Sequence, residues 1–114
     1  MLPRSLRIAR EHFNNVFRSA QVYRSSLLVL YAKPSKELGF AVVVAKKVAK
    51  RAVDRHRIKR IVLSVVESEL QQCSHTLPPC TFVFRVLQQP NHEDQLRIEA
   101  TELLQKALKE QTRI

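Results

Sequence analysis

Glycine is almost missing from this 114-residue chain, where Gly39 is the only one. A single glycine leaves few places for tight turns with φ > 0 and excludes a glycine-rich phosphate loop. Cysteine is nearly as scarce, at Cys73 and Cys80. With His75 they offer three possible ligands and no fourth at zinc spacing, so no metal is expected on the protein's own side chains. The histidines His12, His56, His75 and His92 are scattered and suggest no catalytic triad. Long apolar runs are lacking too. The longest is interrupted by Lys33 and Pro34, short of the ~18 residues of a membrane span. With no secretory signal recognised and so few cysteines, the expected setting is the cytoplasm, with reduced thiols and no membrane partner.

What the chain does have is positive charge, unevenly spread. The formal net charge is +10. Residues 1–60 hold 15 Lys/Arg against Glu11, Glu37 and Asp54, or +12, whereas residues 61–114 hold 5 against 7 acids, or −2. Such a split points to a polyanion bound on one side of the molecule. The length suits one domain, 1–114, large enough to fold around its own core.

Periodicity divides the chain into elements. Residues 11–20 place Phe13, Val16, Phe17 and Ala20 at i, i+3, i+4 and i+7, which predicts an amphipathic helix. Residues 25–33 and 39–45 read as strands apolar on both faces, and the short link through Pro34 predicts an antiparallel hairpin. From residue 51 to 72 the period becomes helical, with Ile58, Ile61, Val62, Val65, Val66 and Glu69 in one stripe. Many of these are β-branched, so packing must sustain the helix. A strand follows at 81–87. A last helix at 93–111 carries Leu96, Ala100, Leu103, Leu104, Ala107 and Leu108 on one face. The pattern predicts an α+β domain with a central sheet and helices packed on it.

The strongest local signal is residues 46–60, with eight Lys/Arg and one acid, Asp54. It falls where a strand hands over to a helix. On that helix Arg51, Arg55 and Lys59 lie at i, i+4 spacings, His56, Arg57 and Arg60 extend the charge around the exposed side, and Ile58 begins the buried stripe. These cations repel one another until phosphates relieve them, and arginine offers phosphate a planar, two-donor fork. Lys46, Lys47, Lys50, Arg51, Arg55, His56, Arg57, Lys59 and Arg60 are therefore the candidate residues for binding a phosphate polyanion such as a nucleic acid. The alternative is a merely solvated basic face. Asp54 and His56 point apart on a helix, and Asp54 suits the helix N-terminus better than hydrolysis.

Val44-Ala45-Lys46-Lys47, a short spacer, and Asp54-Arg55-His56-Arg57-Ile58-Lys59-Arg60 resemble the signature of the bacterial ribonuclease P protein subunit. Leu6-Arg7-Ile8 and Phe13-Asn14-Asn15-Val16-Phe17 are similar to that family's opening arm and first helix. Leu77-Pro78-Pro79 leading into Phe82-Val83-Phe84-Arg85 is similar to its fourth strand. The likeness covers essentially the whole chain. His56 stands where the family usually has Asn, Ala41 where a glycine is common, Leu63-Ser64 where an Arg-Glu pair is common, and Gln88-Gln89 where basic residues often follow. The arginines remain, and the Leu63 change implies a somewhat weaker RNA contact.

The resemblance implies the order α-β-β-β-α-β-α with a four-stranded sheet. It implies a subunit that binds the catalytic RNA of ribonuclease P and precursor tRNA, so that the 5′ leader is removed. Catalysis and Mg²⁺ would belong to the RNA, with no catalytic residue and no cofactor on the protein. Phe13, Phe17 and Tyr31 match positions lining a cleft for the single-stranded leader, where aromatic platforms suit leaders of unrelated sequence. Simple core packing at i, i+4 explains Phe13 and Phe17 about as well. Two other classes fit the charge and size. One is a structural RNA-binding protein such as a ribosomal component. The other is a basic protein on a membrane surface, which would need to expose an apolar helix face that the strands here require for a core. Oligomeric state without RNA is not legible.

Overall fold

Ser25 turns the chain back on itself. Its backbone N–H donates to Leu28 O at 2.8 Å, and its hydroxyl accepts from Leu28 N at 3.2 Å. This turn joins β1 (Gln21–Arg24) to β2 (Leu28–Pro34), which pair antiparallel from Gln21↔Ala32 to Arg24↔Val29. In the computed structural model, which describes residues 20–34, 38–72 and 80–111, the remaining elements are β3 (Gly39–Val43), α1 (Ala52–Gln72), β4 (Cys80–Val86) and α2 (Glu93–Gln111). The described elements follow the expected order β-β-β-α-β-α. The expected first helix, with Phe13 and Phe17, lies outside the described residues, as do Cys73 and His75.

Two strand expectations need correction. The strand expected at 25–33 starts only at Leu28, because Ser25 and Ser26 form a turn, and a further strand, β1, precedes them. β2 and β3 do not form a hairpin either. The sheet order is β1-β2-β4-β3, with β4 antiparallel to β2 and parallel to β3. A short link suggests direct pairing, but four intervening residues also span the ~10 Å between strands two places apart. β4 takes the place between them because it is apolar on both faces: Phe82, Val83 and Phe84 are all fully buried.

Alternation assigns the two faces. Tyr23, Leu28, Leu30, Ala32, Phe40, Phe82, Phe84 and Val86 join the buried residues of both helices in the main core. The expected stripes of α1 and α2 are buried there as read from the sequence. Phe40 and Phe82 stack across the parallel pair, with ring centroids 5.2 Å apart. Polar rungs then tie the helices together: Arg57 to Glu93, Arg97 to Ser64, and Gln105 to Glu69. The rungs advance together along both helices, so α1 and α2 run parallel and start at the same end of the sheet. Burial pushes the Cys80 thiol up, so it packs as a small neutral side chain.

Glu99 fastens α2 to the β1–β2 turn. Its carboxylate accepts from Leu27 N at 2.9 Å, from the Ser26 hydroxyl at 3.0 Å and from Gln95 Nε2 at 3.0 Å. Desolvation alone would raise its pKa, but these hydrogen bonds outweigh it and hold the carboxyl below its ordinary value. A depressed folded pKa means that Glu99 stabilises the fold above its unfolded pKa and that this contribution disappears as pH falls through the folded pKa. Glu99→Gln should therefore lower the melting temperature at neutral pH and flatten its decline on the acid side. An unchanged pH profile in thermal melts would remove this role.

Candidate nucleic-acid interface

The chain leaves β3 at Val43 and makes one tight turn before α1. Ala45 O accepts from Val48 N at 3.0 Å and from Ala49 N at 3.3 Å. This leaves Lys46 and Lys47 exposed and Ala49 buried. Arg55 latches the segment to the helix, its Nη1 donating to Ala49 O at 3.0 Å and to Lys50 O at 2.9 Å. At the helix start, Arg51 O accepts from Asp54 N at 3.1 Å and from Arg55 N at 3.2 Å. Asp54 sits in the first turn, where a carboxylate meets the positive end of the helix dipole, and its Oδ2 is 4.0 Å from Arg51 Nε.

Burial of Ile58 and Ile61 orients the rest of α1. Val53, His56, Arg57 and Arg60 form its exposed crest, while Asp54, Arg55 and Lys59 lie on a half-buried flank. Lys46, Lys47, Lys50 and Arg51 are exposed beside the helix start. The sequence-based candidates thus gather around one end of α1, but they are not equivalent. Arg55 has a structural task. Arg57 reaches α2, where its Nε donates to Glu93 Oε1 at 2.6 Å and its Nη2 contacts the same oxygen. The Arg57 and Glu93 side chains are 68% and 42% exposed. An ion pair that open contributes about 0–1 kcal/mol, so a phosphate can replace Glu93 at little cost.

A second surface lies on the other side of the sheet. There the register lines up Arg24, Val29, Arg85 and Val43 in one row, and Val22, Tyr31, Val83 and Ala41 in the next. Lys33, Thr81 and Gly39 form a third. Val29 and Val83 are buried although they stand outside the main core cluster. Tyr31 is half-buried, and Arg24 and Arg85 are exposed. Sequence reasoning found Tyr31 here but missed Arg24, Lys33 and Arg85. The clue was parity: Arg85 shares a face with Val83, and Lys33 shares one with Tyr31. Only the register joins those faces.

The two surfaces meet at one edge. Arg85 pairs with Val43, so the Arg24–Arg85 row lies at the end of the sheet from which the Lys46–Lys47 turn departs. Among the described residues no cluster of His, Cys, Asp or Glu could hold a metal ion, and no helix is long and apolar enough to cross a membrane.

Residues 2–109 match the model of the Ribonuclease P family. The chain belongs to the ribonuclease P family. The ribonuclease P protein component of a Pseudanabaena species is 33% identical over 98 residues, covering 82% of this chain and 84% of the relative. That of Nitrosomonas eutropha is 31% identical over 115 residues, covering 96% and 93%. The RNase P protein of Staphylococcus aureus shares the fold, with a TM-score of 0.70, 20% identity and coverage of 96% and 97%. Membership in the ribonuclease P family sets aside the ribosomal and membrane-surface readings.

Proposed function

We propose that the two surfaces serve two RNAs: the belt from Lys46 to Arg60 binds the catalytic RNA of ribonuclease P, and the sheet face around Tyr31 takes the single-stranded leader of precursor tRNA. As a family member the chain is the protein subunit of an endoribonuclease and functions in maturation of the tRNA 5′ end. The observation that carries the division of labour is geometric. The helical cations and Tyr31 stand on opposite sides of one sheet and meet at the edge marked by Lys46, Lys47 and Arg85.

Each surface suits its RNA. Lys46, Lys47, Lys50, Arg51 and Arg60 project into solvent with His56, and Arg57 can exchange Glu93 for phosphate. Lys59 extends the charge along the flank, and Arg55 holds the turn while adding its own charge. Cations so placed release counterions from a structured RNA backbone. Tyr31 offers a π-face with Arg24, Lys33 and Arg85 around it, and stacking on such a platform tolerates any base. Phe13 and Phe17 join Tyr31 in this reading. Bond cleavage belongs to the RNA and its Mg²⁺, and no side chain of this domain is assigned a catalytic or metal-binding role. The reaction takes place in the cytoplasm.

Reconstitution tests the proposal directly. The full chain is mixed with its host's ribonuclease P RNA and precursor tRNA at low magnesium, and cleavage at the leader junction is followed. The protein should accelerate cleavage by favouring the assembled complex. A folded protein that gives no acceleration would overturn the assignment.

A further inference from the structure

The crest of α1 runs out of charge at Arg60. Between Ile61 and Gln72 the helix contains no Lys or Arg, and its outer residues include Ser68, Gln71 and Gln72. Yet the cationic surface does not end there. One turn beyond Arg60, Ser64 accepts a hydrogen bond from Arg97 of α2, Nη1 to Oγ, at 2.9 Å. Ser64 Oγ in turn donates to Ile61 O at 2.7 Å. The hydroxyl is thus fixed as donor and acceptor, and it fixes one corner of the guanidinium. Arg97 is itself exposed, and a guanidinium has five donors. Ser64 takes one of them.

We propose that Arg97 is a further RNA-phosphate site, at which the backbone of the catalytic RNA passes from the crest of α1 onto α2. The inference rests on the belt reading above and extends it to a residue 37 positions downstream of Arg60. Three observations carry it. The Ser64 bond places Arg97 where the row Arg57, Arg60 would continue. Glu93, one turn before Arg97 on α2, is engaged by Arg57, so that acid is already partly neutralised. Both helices pack on the core face of the sheet, away from Tyr31, which assigns this phosphate to the catalytic RNA rather than to the leader.

The test is the salt dependence of affinity for the host's ribonuclease P RNA, measured with the full chain. Arg97→Ala should lower the slope of log K against log salt by about 0.9, the value of one phosphate contact. The affinity lost on raising salt from about 50 to 200 mM should accordingly shrink by about 3.5-fold. Arg97→Lys should keep the slope, and Lys106→Ala, more than two turns further along α2, should leave it unchanged. Arg60→Ala serves as the reference. If Arg60→Ala lowers the slope and Arg97→Ala does not, the Arg97 site is overturned while the belt reading stands. If neither lowers it, the belt reading itself fails. In a second arm, the variant is first assembled with saturating catalytic RNA and then bound to precursor tRNA. Affinity should match that of the unsubstituted assembly. A loss confined to this arm would overturn the assignment to the catalytic RNA.

Discussion

Replacing Lys46, Lys47, Arg57 and Arg60 together by glutamine should weaken binding to ribonuclease P RNA on the order of a thousandfold, taking ~1 kcal/mol for each charged contact. The salt slope should fall by about 3.6, four times the contribution of one phosphate. The domain should stay folded, because all four side chains are exposed. The ion pair lost with Arg57 is an open one, worth at most about 1 kcal/mol. Arg55 is left out of this set on purpose. Its Nη1 serves Ala49 O and Lys50 O, and removing it would leave the part-buried Ala49 carbonyl short of a donor at a cost of about 1–2 kcal/mol. Arg55→Ala would therefore displace Lys46 and Lys47 as well as remove a charge, and its RNA defect would come with a lower melting temperature. The quadruple variant separates these effects. A folded protein with an undiminished slope would place the RNA somewhere other than on this belt.

Some of this site was legible because charge density is local. Eight cations in residues 46–60 can be seen without knowing the fold, and so can the buried stripe that decides which of them face outward. The helical stripes of α1 and α2 were legible for the same reason: a period of 3.6 involves neighbours three and four apart. What depended on distant partners was not. Arg57 meets Glu93 and Arg97 meets Ser64 across 36 and 33 positions, and nothing in the local pattern announces either pair. Arg24, Lys33 and Arg85 come together with Tyr31 only once β4 lies beside β2. The hairpin expectation failed at the same point, since a short link records only that two strands end near one another. It does not record that a more apolar strand arrives later and separates them. β1 escaped notice because four residues, with Val22 exposed, carry too little alternation to stand out from the strand that follows.

The sheet separates stability from leader binding, and two truncations on its opposite faces should show this. Phe82 is fully buried in β4, stacked on Phe40 and aligned with Ala32 on the other neighbour. Phe82→Ala removes a fully buried ring from the core and should cost about 3–5 kcal/mol, a large share of the 5–15 kcal/mol that holds a typical domain together. A loss of that size should lower the melting temperature by roughly 10–25 °C, and Phe82→Leu, which refills much of the space, should recover part of it. Tyr31 belongs to the reverse face and is only half-buried. Tyr31→Ala should cost less stability but lower the affinity of the assembled ribonucleoprotein for precursor tRNA by about 5- to 150-fold, the worth of one stacked base. Its affinity for the catalytic RNA should remain. Thermal melts and the two binding measurements decide the matter together: if Tyr31→Ala weakens both RNAs alike, the two faces do not divide the work, and Tyr31 acts through the fold rather than on the leader.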